Sequence, residues 1–103
     1  MPFQPQIFNL ATTDSNQPIV NVDKTAAALI VNVGGQTYQG PNGPVTLPGP
    51  DTAILTGGAG TGAPNIALLP PGAAVAFPCR WGPVYARAAN SATALSVVIG
   101  ITP

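Results

Sequence analysis

The clearest strand signal in the chain is residues 93–101, which read Thr-Ala-Leu-Ser-Val-Val-Ile-Gly-Ile. Successive side chains of a β-strand point to opposite faces of its sheet. One face holds the larger apolar side chains, Leu95, Val97, Ile99 and Ile101. The other holds smaller ones, Ala94, Ser96, Val98, Gly100 and Thr102. We predict that the first face lies in a core and that the second, nearly flat face suits close approach of another surface.

Similar short apolar runs recur along the chain between turn signals, which is the pattern of an all-β protein. The turns draw on 12 Gly and 13 Pro. A spacing of about ten residues between turns predicts one domain, built as a β-sandwich or a jelly-roll-like barrel. The predicted strands are 18–22, 26–33, 36–39, 44–47, 52–56, 65–69, 73–78, 84–89 and 93–101.

Two glycine-containing turns lead to specific expectations. In Gly40-Pro41-Asn42-Gly43-Pro44, the Asn-Gly pair can take the positive φ angles of a type I′ hairpin turn. Residues 57–64 are predicted to form a long mobile surface loop. This loop superficially resembles a phosphate-binding loop, but Ala63-Pro64 follow its last glycine, where phosphate binding needs Lys and Ser or Thr.

We predict an extended N-terminal arm over residues 1–17, followed by a β domain over 18–103. The arm is largely polar and contains early prolines, yet an isolated arm would leave four large apolar side chains in water. These are Phe3, Ile7, Phe8 and Leu10. Two interpretations remain open: residues 6–11 form an ordinary first strand of the chain's own sheet, or the arm packs on a neighbouring subunit.

The chain is very poor in charge. Among its 103 residues, the charged ones are Asp14, Asp23, Lys24, Asp51, Arg80 and Arg87, and the formal net charge is +0. Soluble domains are typically about a quarter charged and keep a net charge away from zero. Several predicted strands have two uncharged faces, whereas a lone sandwich carries charged side chains that block edge pairing. We therefore expect other copies, or another protein, to cover much of the surface.

The same composition argues against several functions. Three basic residues cannot form the Lys and Arg footprint of nucleic-acid binding, and they argue against an anionic membrane surface. Because the chain has no His, no Glu and a single Cys, Cys79, we expect no metal site, no cofactor and no enzymatic activity. Asp51 is expected to accept backbone hydrogen bonds in a turn. No signal peptide is visible, so we expect synthesis in the cytoplasm without export.

Residues 79–87, Cys-Arg-Trp-Gly-Pro-Val-Tyr-Ala-Arg, contain both Arg and the single Trp of the chain. Trp, Tyr and Arg are enriched in binding hot spots. In one interpretation Trp81 fills a core corner and Arg80 is solvated. In the other, Arg80, Trp81 and Arg87 contact a partner subunit. Tyr85 and Arg87 are expected to share one strand face, opposite Val84, Ala86 and Ala88.

Three segments together carry a family resemblance: 65–75 (NIALLPPGAAV), 82–88 (GPVYARA) and 94–100 (ALSVVIG). This order of strand, proline-glycine turn, strand and valine-rich last strand resembles small virion proteins of tailed bacteriophages, above all capsid decoration (cement) proteins. The resemblance implies a compact β domain that oligomerises, often as a trimer, and binds the major capsid protein at the capsid surface. It also implies an arm across neighbouring capsid subunits, but no residue-level site.

We therefore expect a capsid decoration protein that stabilises the phage head mechanically. The predicted capsid or subunit contacts are Phe3, Ile7, Phe8, Leu10, Arg80, Trp81, Tyr85 and Arg87. One alternative is another virion subunit from the tail, a fibre or the head-completion complex. A second is a carbohydrate-binding β domain in which Trp81 and Tyr85 stack on sugar rings.

Overall fold

The computed structural model describes residues 3–10, 16–20, 25–60, 62–77 and 83–101. Over these residues the chain forms ten strands and no helix, so the predicted all-β class is confirmed. The strands are β1 (Phe3–Leu10), β2 (Gln17–Val20), β3 (Thr25–Asn32), β4 (Thr37–Gly40), β5 (Gly43–Thr46), β6 (Ala53–Thr56), β7 (Asn65–Leu69), β8 (Ala74–Phe77), β9 (Val84–Ala88) and β10 (Thr93–Ile101). No helix in these ranges is long and apolar enough to cross a membrane.

The strands pair antiparallel in two four-stranded sheets and one hairpin. The first sheet, sheet A, has the order β1-β10-β3-β8, and the second, sheet B, has the order β2-β9-β6-β7. The hairpin β4-β5 is inserted between β3 and β6. If the other eight strands are renumbered along the chain, the sheets read 1-8-3-6 and 2-7-4-5. This is the strand order of an eight-stranded jelly roll, which confirms the predicted sandwich architecture.

The core lies between the two sheets, and the alternation predicted for β10 places side chains correctly. Leu95 and Val97 are 0% and 2% exposed, and Ile99 packs against the core cluster. On the opposite face Ser96 and Val98 are half-buried, but Ala94 is 0% exposed and Gly100 is buried, against the prediction of an open face there. The side chain of Ile101 and all of Thr102 lie outside the described residues. The largest fully buried apolar side chains are Leu10, Ile30, Leu55, Leu95, Val84 and Val97.

β1 bears on the two interpretations of residues 1–17. It pairs with β10 over its whole length, from Phe3 opposite Gly100 to Leu10 opposite Thr93. Leu10 is buried, and Phe8 packs against the core cluster. The segment therefore lies where the first interpretation places it, as a strand of the chain's own sheet, and it begins earlier than the predicted 6–11. Residues 11–15 are outside the described ranges.

The hairpin turn is not of the predicted type. Gly40 pairs with Gly43, so the two loop residues are Pro41 and Asn42. A type I′ turn needs a positive φ at both loop residues. Proline fixes φ near −65°, and among described residues only glycines have positive φ, here Gly43 at 119°. The prediction is wrong because Pro41 occupies the first loop position.

Candidate interaction surface

The outward face of sheet A has no charged side chain at any described position. Strand register aligns its side chains in rows across the four strands. One row is Ile7, Ser96, Val31 and Ala74, and the next is Val98, Leu29 and Ala76. We call this surface the neutral face. Its described members with exposed or half-buried side chains are Ile7, Asn9, Ala27, Leu29, Val31, Ala74, Ala76, Ser96 and Val98, while Ala94 and Gly100 on the same strand face are buried.

The neutral face combines protruding apolar side chains with an open hollow. Ile7 and Leu29 are 49% and 44% exposed, which is high for side chains of this size. Beside Leu29 lies a hollow of about 340 Å³. It is lined by Ala27, Ala28, Leu29, Ala76, Phe77, Val98 and Gly100. The hollow exists because Ala and Gly have too little side chain to fill the space above the sheet.

The side chains of this surface are chemically suited to contact with another surface. At its described positions it offers no titratable side chain, and Ser96 supplies its one hydroxyl. Burial of its apolar area stabilises a contact at roughly 25 cal/mol per Å². Contiguous exposed apolar surface on a soluble protein commonly marks an interaction site. The face also lacks the Lys or Glu side chains with which sheets usually resist unwanted pairing.

The outward face of sheet B differs because it carries a charge. Tyr85 and Arg87 lie half-buried on this face, while the alternate residues of β9 are buried, as predicted. Register places Arg87 in a row with Ile54 and Leu68, and Leu68 is 61% exposed. The two broad sides of the sandwich are therefore chemically different.

Arg87 makes a hydrogen bond within its own chain. Its Nη1 donates to Asn16 Oδ1 at 3.2 Å. Asn16, which is 4% exposed, donates from Nδ2 to the carbonyl oxygens of Ala59 at 3.3 Å and Gly60 at 3.0 Å. The loop 57–64, predicted to be mobile, is thus tied to β9 through Asn16. No local pattern in the sequence indicates this role of Asn16.

A second buried asparagine joins the two sheets. Asn32 is 0% exposed, and its Nδ2 donates to the carbonyls of Asp51 at 2.7 Å and Leu69 at 2.8 Å. Its Oδ1 accepts from Gly34 N at 3.0 Å and from Thr93 Oγ1 at 3.2 Å. Both donors and both acceptor sites of the amide are therefore used. The sequence places Asn32 on the same strand face as the apolar residues Ala28 and Ile30. This position indicates a buried polar side chain, and sequence reasoning missed it.

Asp51 has the predicted role in a turn. Its Oδ2 accepts hydrogen bonds from the backbone N–H of Asn90 at 2.6 Å and of Ser91 at 2.8 Å. These N–H groups, Ser91 first and Asn90 second, hold the pKa of the Asp51 carboxyl below its ordinary value. The carboxylate thereby stabilises the turn between β9 and β10. Within the described ranges no cluster of His, Cys, Asp or Glu could hold a metal ion.

The predicted contact residues do not gather at one place. Ile7 lies exposed on the neutral face, and Tyr85 and Arg87 lie on the opposite broad side. Phe8 and Leu10 pack with the chain's own core. The side chain of Phe3 and all of Arg80 and Trp81 fall outside the described residues, so the two interpretations of Trp81 stay predictions.

Comparison with known protein families, with curated proteins and with solved structures finds no match for this chain. Jelly-roll domains serve many unrelated functions, so the strand order alone does not define one. The chemistry of the two broad faces is therefore the basis for assigning a function.

Proposed function

We propose that this chain is a virion structural subunit, namely a capsid decoration protein of a tailed bacteriophage. In this proposal it self-associates, binds the major capsid protein on the outer capsid surface and stabilises the head. The observation that supports it best is the neutral face, an outward sheet surface with exposed Ile7 and Leu29 and no charge at its described positions. The resemblance of residues 65–101 to decoration proteins is the reason for proposing a phage capsid as the particle that the chain binds.

The proposed mechanism is mechanical. Apolar faces buried between subunits stabilise at about 25 cal/mol per Å², less the cost of ordering the partners. An interface of about 1,600 Å² in total is enough for stable attachment. Because few charges take part, the assembled form is expected to resist high salt.

We assign the capsid contact to the outward face of sheet B. This face holds Tyr85, Arg87 and the exposed Leu68, and Tyr and Arg are residue types enriched in hot spots. The neutral face is left for contacts between copies. The two contacts then lie on opposite sides of one sandwich, so a single subunit can make both at once.

The test is quantitative mass spectrometry of purified phage particles that contain the gene for this chain. We expect the chain to co-purify with the major capsid protein in hundreds of copies per particle. A few copies would instead indicate a tail, fibre or head-completion subunit. Absence from the particles would overturn the proposal.

Reconstitution tests the attachment itself. Purified chain is added to particles stripped of it, and bound chain is measured after sedimentation in low and high salt. We expect occupancy to survive high salt because Arg87 is the one charged side chain at the described positions of this face, and release by moderate salt alone would contradict a mainly apolar contact. A Leu68→Lys variant is expected to lose occupancy.

A further inference from the structure

We propose that the neutral face pairs two copies of this chain, sheet against sheet, about a two-fold axis. The pairing rests on the proposed function in taking assembly as the chain's purpose, and it names the partner and the surface. It also departs from the trimer that the resemblance implies, because an isologous contact between equal faces joins two subunits.

The absence of charge on the neutral face restricts which partner surfaces can bind there. A charged surface docked on the neutral face would lose its water without gaining a counter-charge, and burying an unpaired charge is costly. The partner surface must therefore be uncharged as well. A second copy offers such a surface of the same size, and the formal net charge of +0 adds no overall repulsion between copies.

Shape supports the same partner. The neutral face carries a protrusion, Leu29, directly beside the hollow lined by Ala76, Val98 and Gly100. A two-fold axis between protrusion and hollow places each Leu29 over the hollow of the other copy. One face thus supplies both halves of the fit, as an isologous interface requires.

The size of the broad side sets the largest area that this contact can bury. The broad side of the sandwich measures 36 × 33 Å, an outline of about 1,200 Å². A stable interface of standard size buries about 800 Å² on each partner. The outline also contains the hairpin and the loops, so it is an upper bound on the neutral face, whose described members span all four strands of sheet A.

The other broad side is a poorer candidate for this pairing. Arg87 lies in its central row beside Ile54 and Leu68. A two-fold contact there would bring two copies of Arg87 toward each other, and like charges in an interface are unfavourable. The experiment must therefore distinguish pairing through sheet A from pairing through sheet B.

The test is light scattering of the purified chain over a range of concentrations, combined with two matched substitutions. The wild-type chain is expected to show twice the 10.3 kDa mass of one chain. Leu29→Lys keeps an aliphatic stem on the sheet but buries a charge in the pair. It is expected to weaken association at least about 100-fold. Leu68→Lys, the same change on sheet B, is expected to leave the mass unchanged.

A second variant and a folding control distinguish loss of pairing from loss of folding. Ala76→Lys places a charge in the same hollow from an exposed position of β8 and is expected to dissociate the pair. Circular dichroism must show the same β spectrum for all variants. If Leu29→Lys does not fold, Ala76→Lys alone decides.

Four outcomes overturn the pairing: a monomeric wild-type chain at high concentration, unchanged mass in both neutral-face variants, equal dissociation by Leu68→Lys, and a trimer. The trimer would leave the proposed virion function standing. If the pair forms as expected but the chain is absent from phage particles, the proposed function is wrong and the pairing stands.

Discussion

Replacing Asn32 by Leu tests how the two sheets are held together. The two side chains have the same number of heavy atoms and the same branching at Cγ, so the substitution removes hydrogen bonds without opening a cavity. Three of the four bonds are buried, namely those to the Leu69 carbonyl, Gly34 N–H and Thr93 hydroxyl. The fourth, to the Asp51 carbonyl, is partly buried.

The expected loss follows from the groups left unpaired. Each buried polar group without a partner costs about 1–3 kcal/mol, so three cost about 3–9 kcal/mol. Burial of the Leu side chain returns about 2 kcal/mol. The net loss centres near 4 kcal/mol, against a total unfolding free energy of about 5–15 kcal/mol for a domain. At this chain length the melting temperature is expected to fall by about 15–30 °C.

The assay is urea unfolding followed by circular dichroism, with Asn65→Leu as the control. Asn65 lies exposed in β7, so the same chemical change there is expected to alter stability by no more than about 0.5 kcal/mol. If Asn32→Leu lost less than about 1 kcal/mol, or no more than the control, the buried amide would not hold the sheets together.

Three further predictions concern Asp51, Leu10 and Asn16. The Asp51 pKa is depressed in the fold, so its contribution to stability is present above the unfolded-state pKa of about 3.9 and is lost as pH falls through the folded value. Asp51→Asn is therefore expected to lower the unfolding free energy near neutral pH and to make it depend less on acid. Leu10→Ala is expected to cost about 2–5 kcal/mol in the isolated chain, because Leu10 is 2% exposed in the core. Asn16→Ala removes the amide bonds to Ala59 and Gly60 and is expected to speed hydrogen exchange and proteolysis in loop 57–64.

Each of these has its own contrary result. If urea unfolding gave parallel curves of unfolding free energy against pH for wild type and Asp51→Asn, the Asp51 carboxylate would not contribute to the loss of stability in acid. A Leu10→Ala chain as stable as wild type would favour an arm docked on a neighbour over a strand of the domain. Unchanged exchange rates in Asn16→Ala, measured by mass spectrometry, would show that the amide does not hold the loop.

Local sequence signals were enough to locate the strands. All nine predicted strands are present with ends within two residues of the observed ones, because Gly and Pro interrupt apolar runs at every turn. In β10 the core face was also predictable, because Leu95 and Val97 are larger than the residues that alternate with them. In β3 it was not, since Ala28 and Ile30 are no more apolar than Leu29 and Val31.

The rest depends on contacts between distant parts of the chain. The bond from Asn32 to the Leu69 carbonyl joins residues 37 apart, and the bond from Arg87 to Asn16 joins residues 71 apart. No local pattern encodes such pairs, and none encodes the order of strands in a sheet. The uncharged faces of single strands could therefore be predicted from the sequence. The hollow beside Leu29 could not, because it depends on the register of three strands.

The most direct test of the account is the mass of the wild-type chain in solution, measured by sedimentation equilibrium from low salt to about 1 M salt, where charge interactions are screened within about 3 Å. We expect an assembly that persists at every salt concentration, because uncharged sheet surfaces hold it together. A chain that stays monomeric at the highest protein concentration would contradict it.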